Sequence, residues 1–318
     1  MKNVGNSALL QSLAKRWISY AVGVVMGRFQ PGERDGLGRG RFSDLPAEAS
    51  AQANEVAAQL RDLADADGVM VLDPGHPDDI ATKVFQALEI MLGEEAAREV
   101  VSVGMGQEGE PEESLRKYFA GKFFKEHISQ YRKRPVYWLL QSPRKKYGVW
   151  LFHEKLTKDT LYRIRGDEYV GSKIKLLESH AADLRARKNA VDLPAAPHAA
   201  QAGGRERRRL EKEIADAEEV LDDIREFARR IDAVLQRGYT PHIDDGVLIN
   251  MAPLWELIPS WKAEPKKCWQ ALERGDYDWS HQAMDHWPER VLEKCRTNKS
   301  FAIAHNLVKD ESEGRDDG

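Results

Sequence analysis

Apolar residues recur every three or four positions through much of this chain. Over residues 7–27 the stripe Ala8, Leu9, Leu10, Leu13, Trp17, Ile18, Ala21, Val22 and Val25 predicts a buried helix, which Ser7 could cap. Residues 32–42 carry four glycines among charges and read as a loop. Residues 48–66 predict an Ala-rich amphipathic helix. Residues 69–72 form a short apolar run that ends at Asp73-Pro74-Gly75, an extended segment entering a turn. Helices are expected over 78–92 and 94–101. A hinge follows at 104–111, and then a helix over 112–131 with Leu115, Tyr118, Phe119, Phe123, Phe124, His127 and Ile128 on its apolar face. The β-rich runs 136–140 and 149–153, joined by Ser142-Pro143-Arg144-Lys145-Lys146-Tyr147-Gly148, read as a hairpin.

After residue 157 the period changes. Val170, Ile174, Leu177, Ala181 and Leu184 step by four and three. So do Leu210, Ile214, Ala217, Leu221, Ile224, Ala228, Ile231 and Leu235, apart from one extra step of four. Two helices of similar length, joined by an Ala/Pro/Gly loop over 193–204, predict an antiparallel coiled-coil arm. Beyond Gly238 the chain is compact and aromatic. Trp255, Trp261, Trp269, Trp279 and Trp287 are cut into short helices by Pro253, Pro259, Pro265 and Pro288. The expected fold is mainly α with a small β-hairpin element. Its parts are an N-terminal helical region (1–103), a basic helix plus hairpin (104–165), the arm (166–238), a Trp-rich subdomain (239–308) and a disordered tail (309–318).

With 42% hydrophobic and 31% charged residues, the 318-residue chain can bury one large or two modest cores. The net charge of -4 creates no global field for nucleic acid, so any contact must use a local basic patch. Two cysteines make no disulfide framework. No stretch reads as a signal peptide or membrane span, and a cytoplasmic location is expected.

One local asymmetry stands out. Between Ser114 and Phe152 the sole acid is Glu126, among ten Lys and Arg residues and many aromatics. Cations against phosphates release counterions and favour duplex binding. Arg132, Lys133, Arg134, Arg144, Lys145 and Lys146 are therefore the candidate DNA contacts, with the hairpin tip as the phosphate probe. A solvated basic face over an aromatic core is the competing reading. Asp78, Asp79 and Lys83 mimic a nuclease cluster, but they open a helix, where acids serve as caps. Cys268, His281, His286 and Cys295 are loosely spaced like a zinc set but lack a close Cys pair, and no metal site is assigned.

Several composite segments resemble one family. They are Lys15-Arg16-Trp17-Ile18-Ser19-Tyr20-Ala21-Val22-Gly23 with Gly27-Arg28; Ser114-Leu115-Arg116-Lys117-Tyr118-Phe119; Arg134-Pro135-Val136-Tyr137-Trp138; and Lys158-Asp159-Thr160-Leu161-Tyr162-Arg163-Ile164-Arg165. Asp244-Asp245-Gly246-Val247, Trp287-Pro288-Glu289-Arg290-Val291 and Ala302-Ile303-Ala304-His305 complete the set. In this order they resemble the C-terminal, non-catalytic portion of the PglX-type adenine-specific DNA methyltransferases of BREX phage-defence systems; the DISARM methyltransferases are similar. The resemblance implies an N6-adenine methyltransferase that uses S-adenosylmethionine and whose catalytic half lies N-terminal to the matched region. Such an enzyme needs a Gly-rich cofactor turn and an Asn/Asp-Pro-Pro-aromatic loop to hold the flipped base. No two prolines are adjacent here, so no catalytic or cofactor residue carries over and the chain is expected to be inactive alone. A split gene, a truncated gene or a separate subunit would each account for this. The expected partners are double-stranded DNA, the catalytic half and other defence proteins. A protein–protein adaptor without DNA contact is the alternative.

Overall fold

The computed structural model describes residues 2–31, 47–191 and 200–308. The loop expected at 32–42, the tail at 309–318 and most of the 193–204 loop lie outside these. The protein is mainly helical with one small sheet, as its hydrophobic periods predict. Two compact units divide the chain: Met1–Leu140 with Tyr147–Leu156, and Gln141–Lys146 with Thr157–Gly318.

The first unit contains α1 (Lys2–Val25), α2 (Ala47–Leu63), β1 (Val69–Val71), α3 (Ile80–Leu92), α4 (Glu94–Met105), α5 (Pro111–Gln130), β2 (Tyr137–Gln141, whose last residue belongs to the second unit) and β3 (Gly148–Phe152). Only the second half of α1 is buried as its period predicts: Ile18, Ala21, Val22 and Val25 are fully enclosed. Leu9, Leu10, Leu13 and Trp17 instead stay 42–60% exposed. Helix α1 packs on α3 and α4. A β-carbon on Gly104 would sit 3.0 Å from Ile18 and 3.5 Å from Ala14, so the glycine sets the close approach of α4 to α1. The hinge expected from residue 104 therefore begins as helix. Helix α4 runs to Met105 and is closed by Gly106 in the left-handed conformation. Pro111 opens α5, and α5 packs on α3 and α4, so the chain on both sides of the expected 103/104 boundary forms one unit.

The sheet order is β1-β3-β2, and β1 runs antiparallel to β3 with Met70 opposite Trp150. Every strand residue is buried. Continuous apolar runs of this kind suit strands covered on both faces. From α5, Phe123 and Phe124 meet Trp150 edge-on, and Phe124 also meets Trp138.

The second unit contains α6 (Thr160–Arg165), α7 (Val170–Val191), α8 (Ala200–Gln236), α9 (Val247–Met251), α10 (Ala263–Arg274), α11 (His281–His286), α12 (Pro288–Thr297) and α13 (Lys299–Ala304). Ion pairs Arg187–Glu206, Lys188–Glu211, Arg185–Glu218 and Arg225–Glu178 show that α7 and α8 run antiparallel. Leu184, Leu210 and Ala217 are buried between them. The two helices are not of similar length, however: α7 has 22 residues and α8 has 37. Past Leu221 the buried stripe of α8 widens to Asp223, Ile224, Phe227, Ala228, Ile231 and Val234. There α8 also packs on α6 and on the 3-10 turn Ala252–Leu257. Only the distal part of the pair is an arm, and the rest of α8 is core.

Replacing residues 185–218 with a short Gly/Ser link is thus expected to leave a cooperative thermal transition. Removing 168–238 is expected to abolish it, because the buried Tyr169, Ile224, Phe227 and Ile231 leave together and the loss of each such large side chain costs about 2–5 kcal/mol. Circular dichroism melts of both variants check this.

Trp269, Leu272, Ala283 and Val291 centre the core of the C-terminal helices. The segments that carry the resemblance brace it. Asp245, 3% exposed, accepts from His281 N, Gln282 N and His281 Nδ1 at 2.7–2.8 Å. Gly246 follows at φ 84°, a conformation that favours glycine. Arg290 lies over Trp287 and grips the fully buried Asp278, whose carbonyl bonds His305.

Candidate nucleic-acid interface

The structure gives the predicted cations unequal surroundings. Helix α5 ends in a tight turn in which Tyr131 N donates to His127 O, Lys133 N to Ile128 O and Arg134 N to Tyr131 O. Arg132 and Lys133 both adopt left-handed backbone, φ 49° and 65°. Non-glycine residues rarely adopt this conformation, and both side chains here are exposed. The turn displays Arg132, Lys133 and Arg134 in succession at a helix C-terminus, where positive charge is favoured.

The hairpin tip is different. Buried Asp223 of α8 accepts from the backbone N–H groups of Arg144 and Lys146 at 2.8 and 3.3 Å. Glu219 pairs with both side chains, at 3.3 Å for Arg144 and 3.9 Å for Lys146. The tip is therefore anchored rather than projecting, and two of its three cations already face an acid. Lys145 takes the left-handed conformation, φ 61°. Earlier in the stretch, Arg116 is committed to buried Asp79 and Lys117 to Glu113.

A groove of about 680 Å³ lies between α1 and α5. Lys15, Arg16 and Arg28 bring positive charge to it; Tyr20, Phe29 and Tyr131 are among its aromatic walls. The Arg28 guanidinium sits 5.2 Å from the Phe29 ring, 5.3 Å from Tyr131 and 6.0 Å from Tyr137, and it donates to Tyr131 Oη at 2.5 Å. Lys15 pairs with Glu126 at 2.6 Å, and Tyr118 Oη donates to the same carboxylate. A side chain on Gly23 would run into the Phe29 ring, so this glycine is what lets the wall close. Sequence reasoning missed the groove. The available signal was His127, a polar residue on the apolar face of α5, together with Arg28 in a segment of the resemblance.

His127 is buried, and its Nε2 accepts from the backbone N–H groups of Val136 and Tyr137 at 3.2 and 3.1 Å. Burial first, and the Arg28 charge second, push its pKa down to about 3; burial lowers that of His153 to about 4. Both imidazoles are therefore neutral in the fold, whereas an unfolded histidine titrates near 6.5. Their contribution is fully present above about pH 6.5 and is lost as pH falls toward the folded values, at about 1.4 kcal/mol per pH unit for each histidine. The melting temperature is expected to fall from pH 6.5 to 4.5, and less steeply in His127→Gln. Equal slopes in the two proteins would contradict this.

The other candidates have structural roles. Asp79 caps α3 by accepting from Thr82 N, and Lys83 pairs with Asp78. Cys295 lies in the C-terminal core, with Cys268 packed against it. Burial raises the Cys268 thiol to about 11, His281 is held by Asp245, and His286 meets Trp269 edge-on. Among the described residues no three His, Cys, Asp or Glu side chains cluster as a metal site would require. Also among them, no helix is long and apolar enough to cross a membrane.

No family model matches the chain. Among characterised proteins, it is 28% identical over 264 residues to the adenine-specific methyltransferase BrxX of Escherichia coli O9:H4 (strain HS), covering 77% of this chain and 20% of that protein. It is 26% identical over 248 residues to the adenine-specific methyltransferase PglX of Lacticaseibacillus casei (strain Zhang), covering 75% of this chain and 19% of that protein. The chain spans about a fifth of the length of these relatives. Over three quarters of its length, then, this protein is a homologue of the BREX-type adenine-specific methyltransferases BrxX and PglX.

Proposed function

We propose that this chain is the DNA-contacting and assembly region of a BREX-type N6-adenine DNA methyltransferase in phage defence, acting with a catalytic portion that binds S-adenosylmethionine and lies outside this sequence. The observation that carries this is the homology to a fifth of each relative's length, in a chain with no catalytic Pro-Pro loop. Among the described residues, Gly104 sits close against α1 and Gly106 closes α4, so neither of these two glycines forms a cofactor turn.

Arg132, Lys133 and Arg134 are the main phosphate contacts in this reading, because one exposed turn at the C-terminus of α5 displays the three cations in succession, whereas Arg144 and Lys146 face Glu219. Lys145 adds to them from the tip. Phosphate contacts position a protein without reading sequence. Changing Arg132, Lys133 and Arg134 to Ala should weaken binding equally on cognate and unrelated duplexes. It should also flatten the slope of log affinity against log salt by about 0.9 per lost contact. The triple change Arg144, Lys145 and Lys146 to Ala should do less. Unchanged affinity and slope in the first variant would remove the turn from the interface.

One observation favours a second reading, a protein–protein adaptor: Leu9, Leu10, Leu13 and Trp17 form an exposed apolar stripe on α1. Co-elution of the chain with a catalytic methyltransferase portion, abolished by Leu13→Glu, with no duplex binding by the chain itself, would favour it.

A further inference from the structure

We propose that the groove between α1 and α5 is a nucleotide-binding site, in which Arg28 holds one phosphate and the aromatic wall stacks the attached base. Three observations converge on this ligand chemistry. The first is charge. Among the described residues no carboxylate pairs with half-buried Arg28, and Glu126, the acid that lines the groove, is taken by Lys15 and Tyr118. Lys15, Arg16 and Arg28 against one Glu leave the groove cationic.

The second is an unsatisfied buried donor. Because His127 Nε2 accepts two backbone N–H groups, the imidazole proton resides on Nδ1. Nδ1 is buried and has no hydrogen-bond partner, and the buried hydroxyl of Tyr137 faces the Arg28 guanidinium. His127 is 1% and Tyr137 2% exposed, and both line the groove. Native proteins rarely leave a buried donor unpaired, and at a pocket such a donor points to a ligand acceptor. The third is shape. Tyr20 and Phe29 stack with planes 16° apart, and the Arg28 guanidinium lies against Phe29, Tyr131 and Tyr137. Flat π-faces beside a guanidinium suit base stacking, which is tolerant of base identity. The volume of about 680 Å³ is that of an ordinary small-ligand pocket. An acidic peptide would use the charge but leave the flat walls unexplained.

The nucleotide could be free or part of a DNA strand. The proposal rests on the DNA-contact reading only for the second source. The test titrates the full 318-residue chain with deoxyadenosine 5′-monophosphate, deoxyadenosine and inorganic phosphate by calorimetry. The monophosphate is expected to bind at least about tenfold more tightly than either fragment, since each fragment forfeits one set of contacts. Arg28→Ala should abolish binding, and Arg28→Lys should weaken it about tenfold, because an ammonium cannot replace the planar fork. Ser12→Trp, on the exposed rim of the groove, should block binding while leaving the thermal melt unchanged. Competition by single-stranded DNA or by a duplex with an unpaired nucleotide identifies the strand as the source; its failure identifies the free nucleotide. Equal binding of inorganic phosphate, displacement by a polyglutamate peptide, or wild-type binding in Ser12→Trp overturns the proposal. Duplex binding without monophosphate binding also overturns it and leaves the DNA-contact reading standing; monophosphate binding without duplex binding does the reverse.

Discussion

Asp79→Ala is expected to destabilise the protein by about 3–5 kcal/mol, the usual cost of breaking a buried ion pair from one side. The carboxylate is fully buried and carries four interactions. It accepts from Asp73 N at 3.2 Å, Thr82 N at 3.2 Å and Thr82 Oγ1 at 2.9 Å, and it pairs with Arg116 at 2.6 Å. One side chain thus shapes the turn after β1, caps α3 and ties α5 to α3. The Arg116 Nε already lacks a partner, so losing the carboxylate leaves a second donor of this guanidinium unpaired. The measurement is chemical denaturation of Asp79→Ala, Asp79→Asn and Asp79→Ala/Arg116→Met. The asparagine should lose less because it keeps the cap. The double variant should recover part of the loss, because no unpaired charge remains buried. A loss below about 1 kcal/mol for Asp79→Ala would show that the carboxylate is dispensable.

Arg290→Ala should cost a similar amount in the second unit, about 3–5 kcal/mol. Its guanidinium bonds Asp278 at 2.6 and 3.1 Å and the carbonyls of Leu272 and Glu273 at 2.8 Å, while lying 4.8 Å from the Trp287 ring. Burial raises the Asp278 pKa, but hydrogen bonds from Arg290 and Lys294 outweigh it and hold the carboxyl below its ordinary value. The sign follows. The pairing stabilises the fold above the unfolded aspartate value of about 3.9 and is lost as pH falls through the lower folded value. In Arg290→Ala the acid-side loss should begin at higher pH. Arg290→Lys should rescue little, since one ammonium cannot meet a carboxylate and two carbonyls in one plane. Rescue to within about 0.5 kcal/mol by lysine would mean that charge alone suffices.

What was legible in the sequence was mostly local. Helices α3 and α5 announce themselves by apolar period, Asp79 by its position before such a period, and the α7–α8 seam by its heptads. What was not legible depends on residues far apart in the chain. The anchoring of the hairpin tip needs Asp223 and Glu219, which come 73 to 79 residues after Arg144 and Lys146 and belong to a helix that reads as solvent-exposed arm. The burial of Phe227 and Val234 follows from α6 and the 3-10 turn packing on α8, which no periodicity in α8 itself reveals. The groove joins Arg28 to Tyr131 across 103 positions. Conversely, the Trp287–Val291 segment drew attention as a family signature, yet its Arg290 serves the fold.

The division of the chain into units also has a temporal side. Residues Gln141–Lys146 belong to the second unit, while both flanking strands belong largely to the first. The polypeptide therefore passes between the units three times, and no single proteolytic cut yields either of them whole. During synthesis the hairpin tip emerges 79 residues before Asp223, the acceptor of its Arg144 N–H. At about 5–20 residues per second, that leaves the tip waiting roughly 4–16 s on the ribosome. Through that interval its cations lack the acids they later face, so a nascent chain is more basic at this loop than the finished protein. A chaperone or an anionic surface that engages the loop does so in that window.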